Sequence, residues 1–298
     1  MPETVIVGLI QMACGESAES NVEKAFDRIR QAADSGAQVI CTQELFKTPY
    51  FAQAEDHSLF QLAETVGADS PTVRELRELA RELEVVLIAS LFERQSSGLF
   101  YNASVVIDAD GEYLGKYRKM HIPDDPLYYE KFFFAPGDLG YQVFHTRYAD
   151  IGVLICWDQW FPEAARLTAM KGAQIIFYPT AIGYYPGHRD PGGIGGHDAW
   201  QTVQRGHAVA NACYVAAVNR VGFEPNPAGE GGLEFWGQSF IADPSGAVVA
   251  QASESEEETL IEELDLSLIE DTRRSLAHFF RDRRIDSYGG LTKRYLDE

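Results

Sequence analysis

Residues 150–179 read DIGVLICWDQWFPEAARLTAMKGAQIIFYP, and the order of patterns in that stretch decides the fold class. Asp150–Cys156 is an apolar strand run, Pro162 opens a helix that continues to Lys171, and Ala173–Pro179 is a second apolar strand. Strand, sharp turn, helix and strand in immediate succession is the unit from which α/β domains are assembled.

The same alternation extends in both directions. Upstream, Val5–Met12 reads as a strand and Ala18–Ser35 as a helix with Val22, Ala25, Phe26, Ile29 and Ala33 on one face, stopped by Gly36. Ala37–Leu45 is a buried strand containing Glu44, and Ser70–Glu84 a helix with Ser70 as N-cap and Pro71 in first position. Strands follow at Val85–Phe92, Tyr101–Asp108 and Tyr113–His121, and then at Gln142–Thr146. Downstream, a Gly-rich loop (183–196) precedes a helix over Asp198–Asn211 and strands at Cys213–Arg220, Gly237–Ala242 and Val248–Ala252. No linker-like composition interrupts the chain, so a single α/β domain is expected across 1–298. Helices over the outer faces of two sheets account for strands that are apolar almost throughout, whereas the strand order does not follow from periodicity.

Composition narrows the function. The chain has 298 residues, with 25 Lys and Arg against 45 Asp and Glu, a formal charge of −20. That argues against nucleic acid and anionic membrane surfaces as partners and permits a cationic small molecule. Cys14, Cys41, Cys156 and Cys213 lie far apart without a CxxC pair, which fits neither a disulfide scaffold nor a zinc ribbon. The seven histidines show no metal-ligand spacing, so no metal is expected. Val5–Met12 lacks a basic leader and is too short to span a bilayer; a cytoplasmic, reducing location is expected. Residues 253–271 carry nine acids and no base, and 272–298 carry seven bases against four acids. The plain reading is a solvated turn and a basic tail; the sharper one is a C-terminal extension, about 265–298, that docks on a neighbouring subunit.

Three segments place a reactive residue where a buried strand ends, the usual position of α/β active sites. In Cys41-Thr-Gln-Glu44-Leu45 the apolar surroundings of Glu44 suit it to proton transfer, although a glutamate there is more often a cap or ion-pair partner. In Gly115-Lys-Tyr-Arg-Lys119-Met-His-Ile-Pro123 strand alternation turns Tyr117, Lys119 and His121 one way, leaving Lys116 and Arg118 to meet solvent. Taken alone, such a basic run is more often a solvated edge. At the elbow after Ile155, nearby backbone N–H groups and a lysine can stabilise a Cys156 thiolate. Lone buried cysteines are generally inert, and Cys14, Cys41 and Cys213 are read that way. His121 and His207 are read as structural hydrogen-bonding groups, and the 183–196 loop, with His188 and His197, as a flap near the site.

Together the three segments resemble, residue by residue, the Glu-Lys-Cys triad of the nitrilase (carbon–nitrogen hydrolase) superfamily, over about Val5 to Tyr288. Within it, HIPDDPLYYEKFFFAPGD, YPTAIGYYP, HDAWQTVQRGHAVANACYVAAVNRVG and FWGQSFIADPSG are most similar to the N-carbamoylputrescine amidohydrolase branch. The resemblance implies a four-layer α-β-β-α sandwich and catalysis by Glu44, Lys119 and Cys156 without a cofactor. It also implies a supporting role for Glu130, an oxyanion contact from the Trp157 N–H, and assembly as a homodimer or larger oligomer. Relatives that take carbamoyl amino acids present an arginine just after the cysteine. Here Trp157, Asp158, Gln159 and Trp160 stand there, so a cationic ureide is expected, met by Asp125, Tyr129, Trp157, Asp158 and Tyr184. The expected reaction is hydrolysis of N-carbamoylputrescine to putrescine, carbon dioxide and ammonia through a thioester. The alternatives are an omega-amidase, a β-ureidopropionase-like amidohydrolase, and a catalytically silent assembly subunit of the same fold.

Overall fold

The computed structural model describes residues 3–184, 196–275 and 278–296. In chain order the strands are β1 (Thr4–Gln11), β2 (Val39–Thr42), β3 (Val86–Ser96), β4 (Leu99–Ile107), β5 (Tyr113–Arg118), β6 (Val143–His145), β7 (Asp150–Val153) and β8 (Ile175–Pro179). They continue with β9 (Gly183–Tyr184), β10 (Tyr214–Val218), β11 (Val221–Pro225), β12 (Gly232–Trp236), β13 (Phe240–Ala242), β14 (Val248–Gln251) and β15 (Glu258–Asp265). The helices are α1 (Ala18–Asp34), α2 (Pro71–Leu83), α3 (Glu130–Phe133), α4 (Pro162–Met170), α5 (His197–Asn211) and α6 (Ser267–Ser275).

Two sheets follow one plan. The first runs β15-β1-β2-β3-β4-β5 and the second β14-β13-β10-β8-β7-β6. In each, three neighbouring strands are parallel, β1-β2-β3 and β7-β8-β10, and antiparallel strands flank them on both sides. Strand alternation divides the first sheet between two cores. Ile10, Ile40, Leu87, Ala89 and Val105 pack under Ala25, Ile29 and Ala32 of α1 and Val73, Leu76 and Leu79 of α2. Their neighbours Leu9, Val39, Cys41, Val86 and Ile88 belong instead to a core shared with the second sheet and with Ala164, Ala165, Trp200 and Ala208 of α4 and α5. Helix, sheet, sheet, helix: the expected four layers are present. Each buried Leu, Ile or Val contributes about 1.5–3 kcal/mol, so both faces of the central strands must be apolar. Where α4 crosses β7 the approach is close, and a side chain at Gly152 would run into Thr168 and Ala173.

Several expectations need correction. The acidic segment after residue 253 is not simply a solvated turn: β15 pairs with β1 over eight residues and buries Leu260 and Leu264. Leu260 and Leu264 share one face and enter the core between the sheets, with the half-buried Glu262 between them, while Ile261 packs on the core under α1 and α2, so apolar contacts on both faces are hidden within the charge run. Leu266 and Ile269 are also buried in this chain's own core, so the start of the 265–298 segment belongs to the domain. The hairpin β11-β12, with β9 beside it, forms a small third sheet that the periodicity did not announce. Arg118 does not meet solvent; it is 5% exposed and pairs with Glu93 and Asp138, while Lys116 also reaches Glu93. β3 supplies that glutamate from across the sheet, which one strand's alternation cannot reveal. Ser70 begins α2 without a side-chain capping bond; its hydroxyl oxygen accepts the Gly67 N–H instead, and its proton goes to the Gly67 carbonyl. Among the described residues, no helix is long and apolar enough to cross a membrane.

Candidate active site

Glu44, Lys119 and Cys156 lie just past the ends of β2, β5 and β7, where the chain leaves each sheet. Two of these exits are left-handed. Leu45 has φ +50° and Cys156 φ +42°, a conformation that costs an ordinary residue roughly 1–2 kcal/mol. Such strain persists only where the surroundings hold it. At the first exit the Leu45 N–H donates to Ser90 Oγ (3.0 Å). At the second, Cys156 opens a single 3-10 turn, Cys156–Trp160.

Lys119 gathers the site. Its ammonium donates to Glu44 Oε1 (2.8 Å) and to Glu130 Oε1 (2.9 Å) and Oε2 (2.7 Å). All three side chains are 0% exposed. Asn102 Nδ2 also donates to Glu44 Oε1 (2.7 Å), and the Tyr50 hydroxyl donates to Glu130 Oε1 (2.6 Å). Glu44 Oε2, by contrast, is buried with no hydrogen-bond partner among the described residues. One carboxylate oxygen is therefore pinned and the other left open to a reacting group. Tyr50 and Asn102 were missed from the sequence. Asn102 had left a signal, as a polar residue in the middle of the apolar run of β4.

The charges fix the resting protonation. Burial alone would push Lys119 down, but the adjacent Glu130 and Glu44 carboxylates overcome it and hold the ammonium above its ordinary value. Burial pushes Glu130 up to about 7, against the opposing pull of Lys119. Burial also pushes the Cys156 thiol well above its ordinary value; the Glu44 charge adds to this and Lys119 opposes it. Cys156 Sγ lies 3.8 Å from the Ala181 carbonyl, its hydrogen-bond acceptor. Burial and the carbonyl acceptor both favour the protonated thiol over a thiolate, so an attack by Cys156 calls for a base.

Asp158 has a different task from the one expected. Its buried carboxylate accepts the Ile155 N–H (2.9 Å) and the Tyr117 hydroxyl (2.8 Å) on Oδ2, and the His121 N–H (3.0 Å) on Oδ1. His121 Nδ1 lies 2.7 Å from Oδ1, and the His121 ring stacks on Phe161 at 3.7 Å. Both oxygens are taken up in holding the Cys156 elbow, which removes Asp158 from the candidates for a substrate ammonium. His207 is likewise occupied, with Nε2 2.7 Å from the Gln159 carbonyl. Asp125 and Tyr129 are half-buried in the loop before α3, which the Tyr129 N–H ties to the Ala52 carbonyl (2.8 Å). Trp157 is half-buried beside Trp160, and Tyr184 lies in β9 with its ring 5.1 Å from Trp236. Residues 185–195, which hold His188 and most of the expected flap, lie outside the described residues.

Comparison with known proteins places the chain. The carbon–nitrogen hydrolase family model matches residues 6–274. The chain belongs to the carbon–nitrogen hydrolase family. Among its relatives are an N-carbamoylputrescine amidase of Arabidopsis thaliana, 46% identical over 95% of this chain and 94% of the relative, and a citrullinase of Francisella tularensis, 41% identical over 97% and 98%. A carbon–nitrogen hydrolase of Helicobacter pylori G27, known from its crystal structure, superposes with a TM-score of 0.93 at 43% identity, covering 98% of this chain and 100% of that one. The arrangement combines a buried thiol, a carboxylate with an open oxygen, and a fixed cation. Those are the parts that acyl transfer through sulfur requires.

Proposed function

We propose that this carbon–nitrogen hydrolase converts N-carbamoylputrescine to putrescine, carbon dioxide and ammonia. The observation that carries the reading is the 46% identity, across nearly the whole chain, to plant N-carbamoylputrescine amidases. The sequence after Cys156 agrees with it. A carboxylate-ended ureide calls for a guanidinium fork, and Trp157, Asp158, Gln159 and Trp160 provide none.

In this reading Cys156 Sγ attacks the ureido carbon while the open Glu44 Oε2 takes the thiol proton. Lys119 and the Trp157 N–H hold the oxyanion. Collapse breaks one carbon–nitrogen bond, with Glu44 returning the proton to the departing nitrogen, and leaves a thioester. Water activated by Glu44 then frees Cys156 and a carbamic acid, which falls apart to carbon dioxide and the remaining amine. Glu130, itself held by Tyr50, keeps Lys119 in place. Asp125 meets the substrate ammonium, with Tyr129, Trp157 and Tyr184 as its walls.

Putrescine and ammonia should therefore appear in equal amounts from N-carbamoylputrescine. Asp125→Asn should raise KM for that substrate about tenfold, the equivalent of ~1.4 kcal/mol, and leave KM for a neutral amide nearly unchanged. An equal rise for both would remove Asp125 from the ammonium site, and failure to release putrescine would remove the substrate.

We propose self-association as well, through a face made by α4, α5 and the segment after residue 275, whose Phe280 and Arg283 lie against Arg166 and Met170 of α4 in the same chain. Leu167, Met170 and Val209 are exposed on those helices, as are Ile285, Leu291 and Leu296 in the tail. Truncation after Ser275 should reduce the assembly seen by light scattering; an unchanged mass would contradict this. The four free cysteines fit a reducing, cytoplasmic setting.

A further inference from the structure

We infer that Asn219 and Arg220, consecutive residues at the end of β10, are positioning residues that together set the separation of Glu44 and Cys156. The inference rests on the catalytic roles proposed above. Arg220 is fully buried and reaches from the second sheet to the exit of β2 in the first. Its Nη2 donates to the carbonyls of Glu44 and Leu45, both at 2.9 Å. Its Nη1 donates to the Thr48 carbonyl (2.9 Å) and to Glu224 Oε1 (2.6 Å). The other Glu224 oxygen accepts the Tyr50 N–H. One ion pair thus grips the 44–50 segment along its length. That segment carries Glu44 at one end and, at the other, the Tyr50 hydroxyl that holds Glu130.

Asn219 grips the opposite side. Its Oδ1 accepts the Ile182 N–H and its Nδ2 donates to the Ile182 and Gly237 carbonyls, each at 3.0 Å. Ile182 follows Ala181, whose carbonyl accepts the Cys156 thiol. The Arg220 N–H donates to Asn219 Oδ1 (2.8 Å), so the two grips are locked to each other. A buried ion pair kept for stability alone can be replaced by apolar residues of like volume. An apolar residue cannot hold three carbonyls from one planar group, and neither can the point charge of a lysine. Those carbonyls flank the left-handed Leu45, the residue whose backbone aims Glu44.

Arg220→Lys and Asn219→Ser test the inference, each read per folded molecule. The first expected result is a fall in kcat of about 10²-fold, the scale of a misplacement near 1 Å, with KM little changed. The second readout is alkylation of Cys156 by chloroacetamide, a small electrophile whose attack also needs Glu44 to take the thiol proton. It should slow in step with kcat, and its pH profile should shift. Asn219→Ser reads the same geometry from the nucleophile's side if Arg220→Lys does not fold. Wild-type alkylation rates and pH profiles in folded variants, with only the melting temperature lowered, would overturn the inference. Alkylation does not depend on the natural substrate. A wild-type enzyme that ignores N-carbamoylputrescine would sink the proposed substrate, while the alkylation comparison would still decide the positioning role.

Discussion

Cys156→Ala is expected to reduce turnover by on the order of 10⁵-fold or more, the cost of removing a covalent nucleophile, while folding stability changes by no more than about 1 kcal/mol. The two halves of that expectation have separate causes. In the proposed mechanism Sγ is the atom that bonds to the substrate, and neither Glu44 nor Lys119 can replace it. Among the described residues the thiol nevertheless makes one weak hydrogen bond, to the Ala181 carbonyl, so its loss leaves little unsatisfied. The elbow is held instead by Asp158, which accepts from Ile155, Tyr117 and His121 and is untouched by the change. Ammonia release together with a chemical denaturation curve checks both parts. Retained turnover would exclude Cys156 as the nucleophile, and loss of folding would show that the elbow depends on sulfur.

Lys119→Met carries the second large effect, and it falls on stability as well as on rate. The ammonium is buried between Glu44 and Glu130 and donates to three of their oxygens. Removing it leaves two buried carboxylates without their cation, a loss of about 3–5 kcal/mol at a pH where both are ionised. The sign of the pH dependence follows from Glu130. Its folded value is already about 7, above the ordinary 4.5. The fold therefore binds that proton more tightly than the unfolded chain does, and this contribution to stability declines as pH rises from the unfolded value toward the folded one. Without Lys119 the pull that opposes this rise is gone, and Glu130 is driven higher still. The deficit of Lys119→Met against the wild type should be larger at about pH 8 than at about pH 5.5. Denaturation midpoints at the two pH values check it, and an equal deficit at both would contradict the electrostatic account. Activity should be lost at both, because the oxyanion contact goes with the lysine.

The sequence made the three strand exits legible in two ways: Glu44 and Cys156 each follow an apolar run, while Lys119 sits in a basic segment where strand alternation sets it apart from Lys116 and Arg118. The first criterion, applied to the run Tyr214–Val218, points to Asn219 and Arg220, which were passed over. What stayed hidden depends on chain partners far apart in sequence. Arg118 is a solvent residue by strand alternation and an ion-paired one once β3 brings Glu93 beside it. Asp158 reads as an acid beside the nucleophile. Only the approach of Tyr117 and His121 from the end of β5 shows that its oxygens are already occupied. β15 was concealed by its charge, since its backbone pairs with β1 along eight residues while only Leu260 and Leu264 among its acids are buried.

The central claim is that the site works on a ureide carried by a cationic amine, and a small panel of compounds tests it most directly. Ammonia release from N-carbamoylputrescine, citrulline, N-carbamoyl-β-alanine and a simple omega-amide should be measured as kcat/KM under one set of conditions. The account predicts N-carbamoylputrescine first and N-carbamoyl-β-alanine far behind, because a carboxylate would face Asp125 and find no guanidinium after Cys156 to clamp it. A preference for N-carbamoyl-β-alanine or for the omega-amide would contradict it.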